Sequence, residues 1–451
     1  MAADLRSVPR APGHIPVLGH ALPLLRRPLP FLCSLRDTGD IVRVELGTMP
    51  VYFVTTPRLI HELLVTKARH FDKGRLFDRA RKIAGEGLVT AGEEVHRRHR
   101  RLMQPMFHHA ALAAYTDTMA EQARLVADSW QPGRAIPLNE ALYDYAINTV
   151  TATLFSADLD TKAAEAVRHD VPVLIKGVLV RAVLPEFLDR APVPFYREFD
   201  AATARLRAVI SDLVAAARRA GDTGGIDLLS TLLAARDADT GAALTDDEIR
   251  DELVTVMFAG TETSASTLAW IFHELAADPE AERRVLTEVD DVLAGGPVGL
   301  AEVGKLGYID RVVDEVSRLH AMPMLMRRAT TEVEMGGVRI PPGTEIAFSL
   351  YAMHRDRRVY ADPERFDPDR WLPANREGRP REEFMPFGAG TRKCIGDAYA
   401  RMEIAVAVAT ILSRWRLRPV PGTPVKEVAA AVAHPDRLPM VPEPRAAVTG
   451  R

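Results

Sequence analysis

Cysteine is nearly absent from this chain. Cys33 and Cys394 are the only two among 451 residues, so the chain cannot by itself build a disulfide framework, a zinc site of four cysteines or a four-thiolate iron–sulfur cluster. A surplus of charge of either sign is missing too. Lys and Arg number 58 against 61 Asp and Glu, a net charge of −3, which argues against a nucleic-acid binder and confines any basic face to a local patch. There is no low-complexity tract, and no apolar run of the ~18 residues that a membrane span needs. What is present is a globular composition, 47% apolar and 26% charged. The length exceeds what one core normally serves and by itself favours two or three domains.

Pro9, Pro12, Pro16, Pro23, Pro28 and Pro30 predict an extended arm lying on the surface. Cys33 sits in a short apolar stretch and reads as an inert core residue of a short helix. The alternation in Asp40 to Leu46, a turn at Gly47 and the run Val51 to Val54 predict a β-hairpin. Phe71 to Glu94, with four glycines, reads as loop. From Tyr115 to Ala220 the pattern is helical, with breaks at Pro132-Gly133, Pro185 and Pro192 to Pro194. Thr245-Asp246-Asp247-Glu248 is a capping box, and the next proline is Pro279, so a helix of about 30 residues and about 45 Å should start there. Its middle, Ala259-Gly260-Thr261-Glu262-Thr263-Ser264, is poor helix chemistry, because glycine weakens a helix and hydroxyl side chains compete for its carbonyls. Strain of that kind marks a site.

The second cysteine has the more informative surroundings. In Phe387-Gly388-Ala389-Gly390-Thr391-Arg392-Lys393-Cys394-Ile395-Gly396 a thiol stands in a glycine-rich loop beside cations and before a helical run, conditions that favour a thiolate. The bland alternative is a buried cysteine after an ordinary turn. The spacing of Phe387, Gly390, Arg392, Cys394 and Gly396 resembles the haem-binding loop of the cytochrome P-450 superfamily, where a Cys thiolate is the axial iron ligand, and the resemblance extends over nearly the whole chain. It implies one catalytic domain over residues 1–451, mainly α with small β-sheets, β-rich near 38–60 and 330–350 and helical near 95–320 and 397–415. The cofactor would be haem b (iron protoporphyrin IX), held between a long central helix and the Cys394 loop.

Further roles follow from that resemblance. In His96-Arg97-Arg98-His99-Arg100-Arg101, a solvated basic face is the plain reading for Arg97, Arg98 and Arg101, whereas His96 and Arg100 share a helix face and match haem propionate ligands. Arg392 joins them, with Arg327 or, in competition, Arg328. Ala259 and Gly260 match the groove where the long helix opens beside the haem. Glu262 and Thr263 match its acid–alcohol proton-delivery pair, with Glu where many relatives have Asp. Glu315 and Arg318, otherwise an ordinary i, i+3 surface pair, match a buried triad completed by Arg365. Residues from Val171 to Leu188 are either ordinary core or the helices covering the substrate entrance. The C-terminal segment from Pro419 on should end in a hairpin near the pocket.

These implications describe a monooxygenase that inserts one atom of O2 into a C–H bond, with electrons passed from NAD(P)H through a ferredoxin reductase and a ferredoxin. A peroxide-driven peroxygenase and a non-catalytic haem sensor or carrier are the rivals, and neither would need Glu262 and Thr263. The substrate pocket should be lined by Thr255, Phe258, Ala321, Met322, Met324, Leu325 and Met326, apolar and polarizable surface without a charged anchor. Glu62 to Lys67, Phe71 to Gly74 and Met326 to Ala329 resemble actinobacterial terpene oxygenases, which suggests a sesquiterpene such as pentalenene in terpenoid antibiotic biosynthesis. Other secondary metabolites (polyketide, steroid or fatty acid) are the alternative. A cytoplasmic, monomeric protein without a membrane anchor is expected.

Overall fold

The computed structural model describes residues 3–155, 166–174, 177, 194–221, 227–237 and 239–445. The region from Val171 to Leu188, read above as core or as an entrance cover, lies mostly outside them.

The helices named below are α1 (Ala21–Arg26), α2 (Pro28–Thr38), α3 (Pro57–His61), α4 (Arg75–Ala84), α5 (Glu93–Met103), α6 (His109–Asp128), α7 (Leu138–Leu154), α8 (Pro194–Ala220), α9 (Leu228–Ala234), α10 (Asp246–Ala277), α11 (Pro279–Leu293), α12 (Leu300–Val303), α13 (Gly307–Leu319), α14 (Leu350–His354), α15 (Pro373–Arg376) and α16 (Asp397–Leu412). The architecture is organised around α10. Its predicted capping box is formed, with Thr245 N–H donating to Glu248 Oε2 at 2.8 Å and Glu248 N–H to Thr245 Oγ1 at 3.2 Å. The helix runs 32 residues, and Leu268, Trp270, Ile271 and Phe272 on it join one core with residues of α6, α7, α13 and α16. Each fully buried Leu or Ile there contributes about 1.5–3 kcal/mol.

The resemblance led us to expect α10 to open at its Gly-Thr centre. It is instead a continuous α-helix. The hydroxyls that compete for its carbonyls bond back one turn: Thr261 Oγ1 donates to Met257 O at 2.7 Å, Thr263 Oγ1 to Ala259 O at 2.6 Å and Thr267 Oγ1 to Thr263 O at 2.8 Å. They add to the ladder without breaking it.

The strands used below are β1 (Ile41–Leu46), β2 (Met49–Val54), β3 (Phe71–Lys73), β4 (Ile136–Pro137), β5 (Leu325–Ala329), β6 (Val333–Met335), β7 (Val338–Ile340) and β8 (Glu345–Phe348). β1 and β2 form the predicted hairpin, with Ile41 opposite Val54 and Leu46 opposite Met49, in a sheet ordered β1-β2-β8-β5-β3. Near the C-terminus Glu427–Ala429 and Ala433–Pro435 pair antiparallel, and Trp270 Nε1 on α10 donates to Ala433 O at 2.9 Å. Residues 75–84, read as loop from their glycine-rich flanks, are helical. Gly74 caps the start and Gly85, at φ +58°, ends α4, so these glycines bound a helix where a loop was expected.

Candidate active site

The loop before α16 positions Cys394. Gly388 and Gly390 have φ of +72° and +71°, and a Cβ on Gly390 would stand 2.0 Å from the Leu64 carbonyl oxygen, so glycine is required there. The Cys394 N–H donates to Phe387 O at 2.9 Å and closes the loop. Burial pushes the thiol up, and the Gly396 N–H, Arg100 and Lys393 only partly offset it. The thiolate favoured from neighbouring charge is therefore not self-sustaining. Bonding to a metal would supply the missing stabilisation, since a coordinated thiol is deprotonated. Cys33, in α2, is half-buried with its thiol pushed up to about 11 by burial, and reads as inert.

Cys394 is nevertheless accessible, and on α10 Ala259 is the only exposed residue between Glu248 and Ala276. An exposed residue at the centre of an otherwise buried helix marks an internal cleft, with Gly260, Glu262 and Thr263 half-buried beside it. Close to His96, on β3, β5 and the cysteine loop, cations gather. β3 pairs with β5 so that Lys73 stands directly opposite Arg327, a like-charge cross-strand pair that is unfavourable unless an anion joins it. Arg392 shares their pocket with Leu63, Leu64 and Phe71. Burial, then Arg327 and Arg392, hold Lys73 well below its usual range. Burial and Arg392 lower Arg327 to about 10. His96 is buried and brought down to about 3 by burial, Arg392, Lys73 and Arg100, so its neutral ring donates one N–H. Nearby acids are Asp72 and Glu93, each 3.2 Å from Arg392 Nη2. A cofactor carrying two carboxylates fits this excess of buried cation, as the propionates of a haem over Cys394 would.

Arg100 Nη1 donates to Lys393 O at 2.6 Å, which ties α5 to the cysteine loop. Of the two competing arginines, Arg327 belongs to this cluster, whereas Arg328 Nε and Nη2 bond Glu345 and Asp78 at 2.6 and 2.7 Å. Lys73 was not found from sequence, because its partner across the ladder is set by strand pairing of residues about 250 apart.

Glu262 is raised to about 7 by burial, so it can hold and release a proton near neutrality. Thr263 lies one residue on with its hydroxyl over the Ala259 carbonyl. Thr261 is fully buried, and Ser264 turns away from the cleft to donate to Glu403 of α16. Burial raises Glu403 to about 8. This acid was also missed, since nothing local separates it from a surface Glu.

The buried triad differs from its expected membership. Glu315 and Arg318 form a two-pronged pair at 2.9 and 2.8 Å, both buried. The guanidinium of Arg370, not Arg365, completes it, with Nε 3.2 Å from Glu315 Oε1. Arg365 contributes only its carbonyl, 3.2 Å from Arg318 Nη2. Two Pro-x-Arg segments follow one another here, at Pro363 and Pro368, and only packing on α13 selects the second.

Of the expected pocket residues, Phe258, Met322, Met324 and Leu325 are half-buried, and Thr255 is buried against Gly87. Met326 does not belong with them. It is 2% exposed and packs into the core with Phe31 and Phe53, because strand alternation puts it on the face of β5 opposite Leu325 and Arg327. Ala321 is likewise core.

The chain matches the family model "Cytochrome P450" over residues 9–441. It is 43% identical over 437 residues to a cyclooctat-9-en-7-ol 5-monooxygenase of Streptomyces melanosporofaciens, covering 96% of this chain and 95% of that one. It is 42% identical over 431 residues to a pentalenene oxygenase of Streptomyces avermitilis, covering 95% of each. The crystal structure of a cytochrome P450DA heme domain superposes over 100% of both chains with a TM-score of 0.87 at 23% identity, a likeness of fold. The accessible Cys394, the cation cluster suited to propionates and the acid–hydroxyl pair on α10 agree with that likeness: the chain belongs to the cytochrome P450 family and is a monooxygenase that uses haem iron and O2.

Proposed function

We propose that the enzyme oxidises a C–H bond of a cyclic terpene, with a sesquiterpene such as pentalenene as the first candidate. The observation that carries this is the pair of relatives named for cyclooctat-9-en-7-ol and pentalenene, 42–43% identical across almost the whole chain. The half-buried Phe258, Met322, Met324 and Leu325 agree with it, offering a guest apolar, polarizable contacts without a charge.

When bound, a thiolate-ligated haem supplies the O–O cleavage and oxygen transfer. The remaining work falls to the chain. His96, Arg100, Arg327 and Arg392, joined by Lys73, would hold the propionates, and Cys394 would ligate the iron. Glu262 holds a proton near neutrality, and the Thr263 hydroxyl, which rests on the Ala259 carbonyl, would hand a proton into the cleft and take one back from the Glu262 side.

Electrons are proposed to come from NAD(P)H through a ferredoxin reductase and a ferredoxin, docking by charge steering near exposed Arg97, since Arg98, Lys393 and Arg401 are already paired with Glu248, with Asp397 and with Asp310 and Asp314. A monomer working in the cytoplasm completes the reading. Titrating the haem-loaded protein with sesquiterpene hydrocarbons and following the Soret shift tests the substrate. Binding of pentalenene with formation of an oxygenated product is expected. Shifts only with fatty acids or steroids would overturn it.

A further inference from the structure

Exposed apolar side chains are not scattered evenly. Among the described residues the exposed large hydrophobics are Val17, Leu18, Leu22, Leu25, Val65, Val89, Leu125 and Val428, and the first four fall in one nine-residue stretch. Val17 is 79% exposed and Leu25 65%. Single exposed apolar residues need no explanation, but a cluster does.

The cluster is held rigidly. Ile15 and Gly19 exchange N–H···O bonds at 2.8 Å, closing a turn whose tip is Pro16, Val17 and Leu18. Directly behind it His20 is fully buried, its Nε2 2.9 Å from Ala11 O while its Nδ1 accepts the Glu45 N–H at 2.9 Å. At the tip Val17 has φ +67°, a conformation β-branched residues rarely adopt, and it directs the side chain into solvent. α1 continues from this tip with Leu22 and Leu25 outward. Leu24 turns inward, into the cluster that also takes Leu46, Met49, Leu76 and the pocket residue Met324.

The charge around the patch is one-sided. From Leu5 to Arg36 there is no Asp or Glu, while Arg6, Arg10, Arg26, Arg27 and Arg36 are present. Arg6, Arg10, Arg26 and Arg27 are exposed. Arg10 is paired with Glu45 at 3.5 Å, which leaves Arg26 and Arg27, next in sequence to Leu25, as the exposed cations at the apolar patch.

We propose that Val17, Leu18, Leu22 and Leu25, with Arg26 and Arg27 beside them, form a surface that docks on an anionic lipid bilayer. The apolar side chains enter the headgroup boundary and the guanidiniums meet lipid phosphates, the pairing used by helices that lie in a membrane interface. Charge complementarity favours lipid over a second copy of this chain, since two copies meeting through this patch would bring the same arginines together. The contact lies on the surface and spans nothing, in keeping with the absence of any helix long and apolar enough to cross a membrane among the described residues. Because Leu24 and Met324 share one cluster, docking would bring the pocket side of the molecule near a store of apolar substrate. That last consequence rests on the proposed terpene substrate; the docking surface does not.

The test is co-sedimentation of the haem-loaded, full-length protein with sucrose-filled vesicles of phosphatidylglycerol and phosphatidylcholine, or of phosphatidylcholine alone. Binding should be roughly tenfold or more stronger with the anionic lipid and weaken with salt. The double variant Leu22→Glu, Leu25→Glu should lose it, and Arg26→Glu, Arg27→Glu should lose the preference for anionic lipid. Folding of each variant is checked by its reduced-CO spectrum. Sedimentation independent of vesicles, or undiminished binding by the leucine variant, would overturn the proposal. So would a wild-type dimer in sedimentation velocity that the leucine variant abolishes, because a second copy would then be the occupant. A failed terpene titration would leave these outcomes unchanged, so the two readings fail separately.

Discussion

His99 Nδ1 lies 2.6 Å from Glu252 Oε1, both side chains fully buried, and this bond joins α5, which carries His96 and Arg100, to α10, which carries Glu262 and Thr263. Glu252 Oε2 also accepts the Leu88 N–H at 3.1 Å, and neighbouring Asp251 accepts the Glu86 N–H at 2.9 Å and Arg207 Nη2 at 2.8 Å. Two adjacent carboxylates thus fasten the cleft-side loop after α4, together with α5 and α8, to α10. Burial lowers His99, but Glu252 and then Glu248 outweigh it and hold its pKa raised. A raised imidazole stabilises the fold below its unfolded pKa, and that contribution is lost as pH rises through the folded value. Glu252→Ala should cost about 3 kcal/mol by leaving buried His99 only its longer, 3.3 Å contact with Glu248, and should flatten the fall in stability as pH rises through the His99 titration; denaturant melts across pH measure both.

Cys394→Ser should abolish the red-shifted Soret band of the reduced, CO-treated protein, and Cys33→Ser should leave it unchanged. Spectra of the two purified variants decide the ligand assignment, and a retained thiolate band in the Cys394 variant would remove its basis.

Lys73 makes a prediction of opposite sign in the two forms of the protein. Lys73→Met removes a buried amine that cannot be charged opposite Arg327 without cost, so the haem-free protein should gain about 1 kcal/mol. The haem-loaded protein should release haem to apomyoglobin faster, because a propionate partner is gone. Equal effects on both forms would mean that Lys73 serves the fold alone.

Thr263→Ala should keep the thiolate spectrum and much of the NADPH consumption, yet release hydrogen peroxide at the expense of product, with coupling down roughly tenfold. Thr263→Ser should keep most of the coupling and Thr261→Ala all of it, since Thr261 is buried and bonded to Met257. Glu262→Gln should slow turnover on the order of 100-fold. Wild-type turnover should fall as pH rises past about 7, where burial sets the Glu262 proton, and the Gln variant should lose that dependence. Peroxide and product per NADPH, measured across pH, test all four.

Arg370→Ala should destabilise the fold by about 3 kcal/mol or prevent haem incorporation, because it leaves buried Glu315 short of a partner. Arg365→Ala should cost less than about 1 kcal/mol, since only its carbonyl is used. Thermal melts of the two variants read the difference, and the reverse order would restore the membership expected from sequence.

Local signals in the chain were sufficient for some features. The capping box at Thr245 and the proline-free run after it determined α10, alternation about Gly47 determined the first hairpin, and Gly388 and Gly390, both at positive φ, allowed the tight loop that carries Cys394. Each depends on neighbours within a few residues, where backbone geometry and hydrogen bonding are decided by residue type. Tertiary structure decided the rest. It chose Arg370 over Arg365 and Arg327 over Arg328, turned Met326 into the core, added Lys73 to the cation cluster and set Glu403 against Ser264. In each case the deciding contact joins distant segments, and a guanidinium or carboxylate reads the same in sequence whether it faces water, a core or a cofactor.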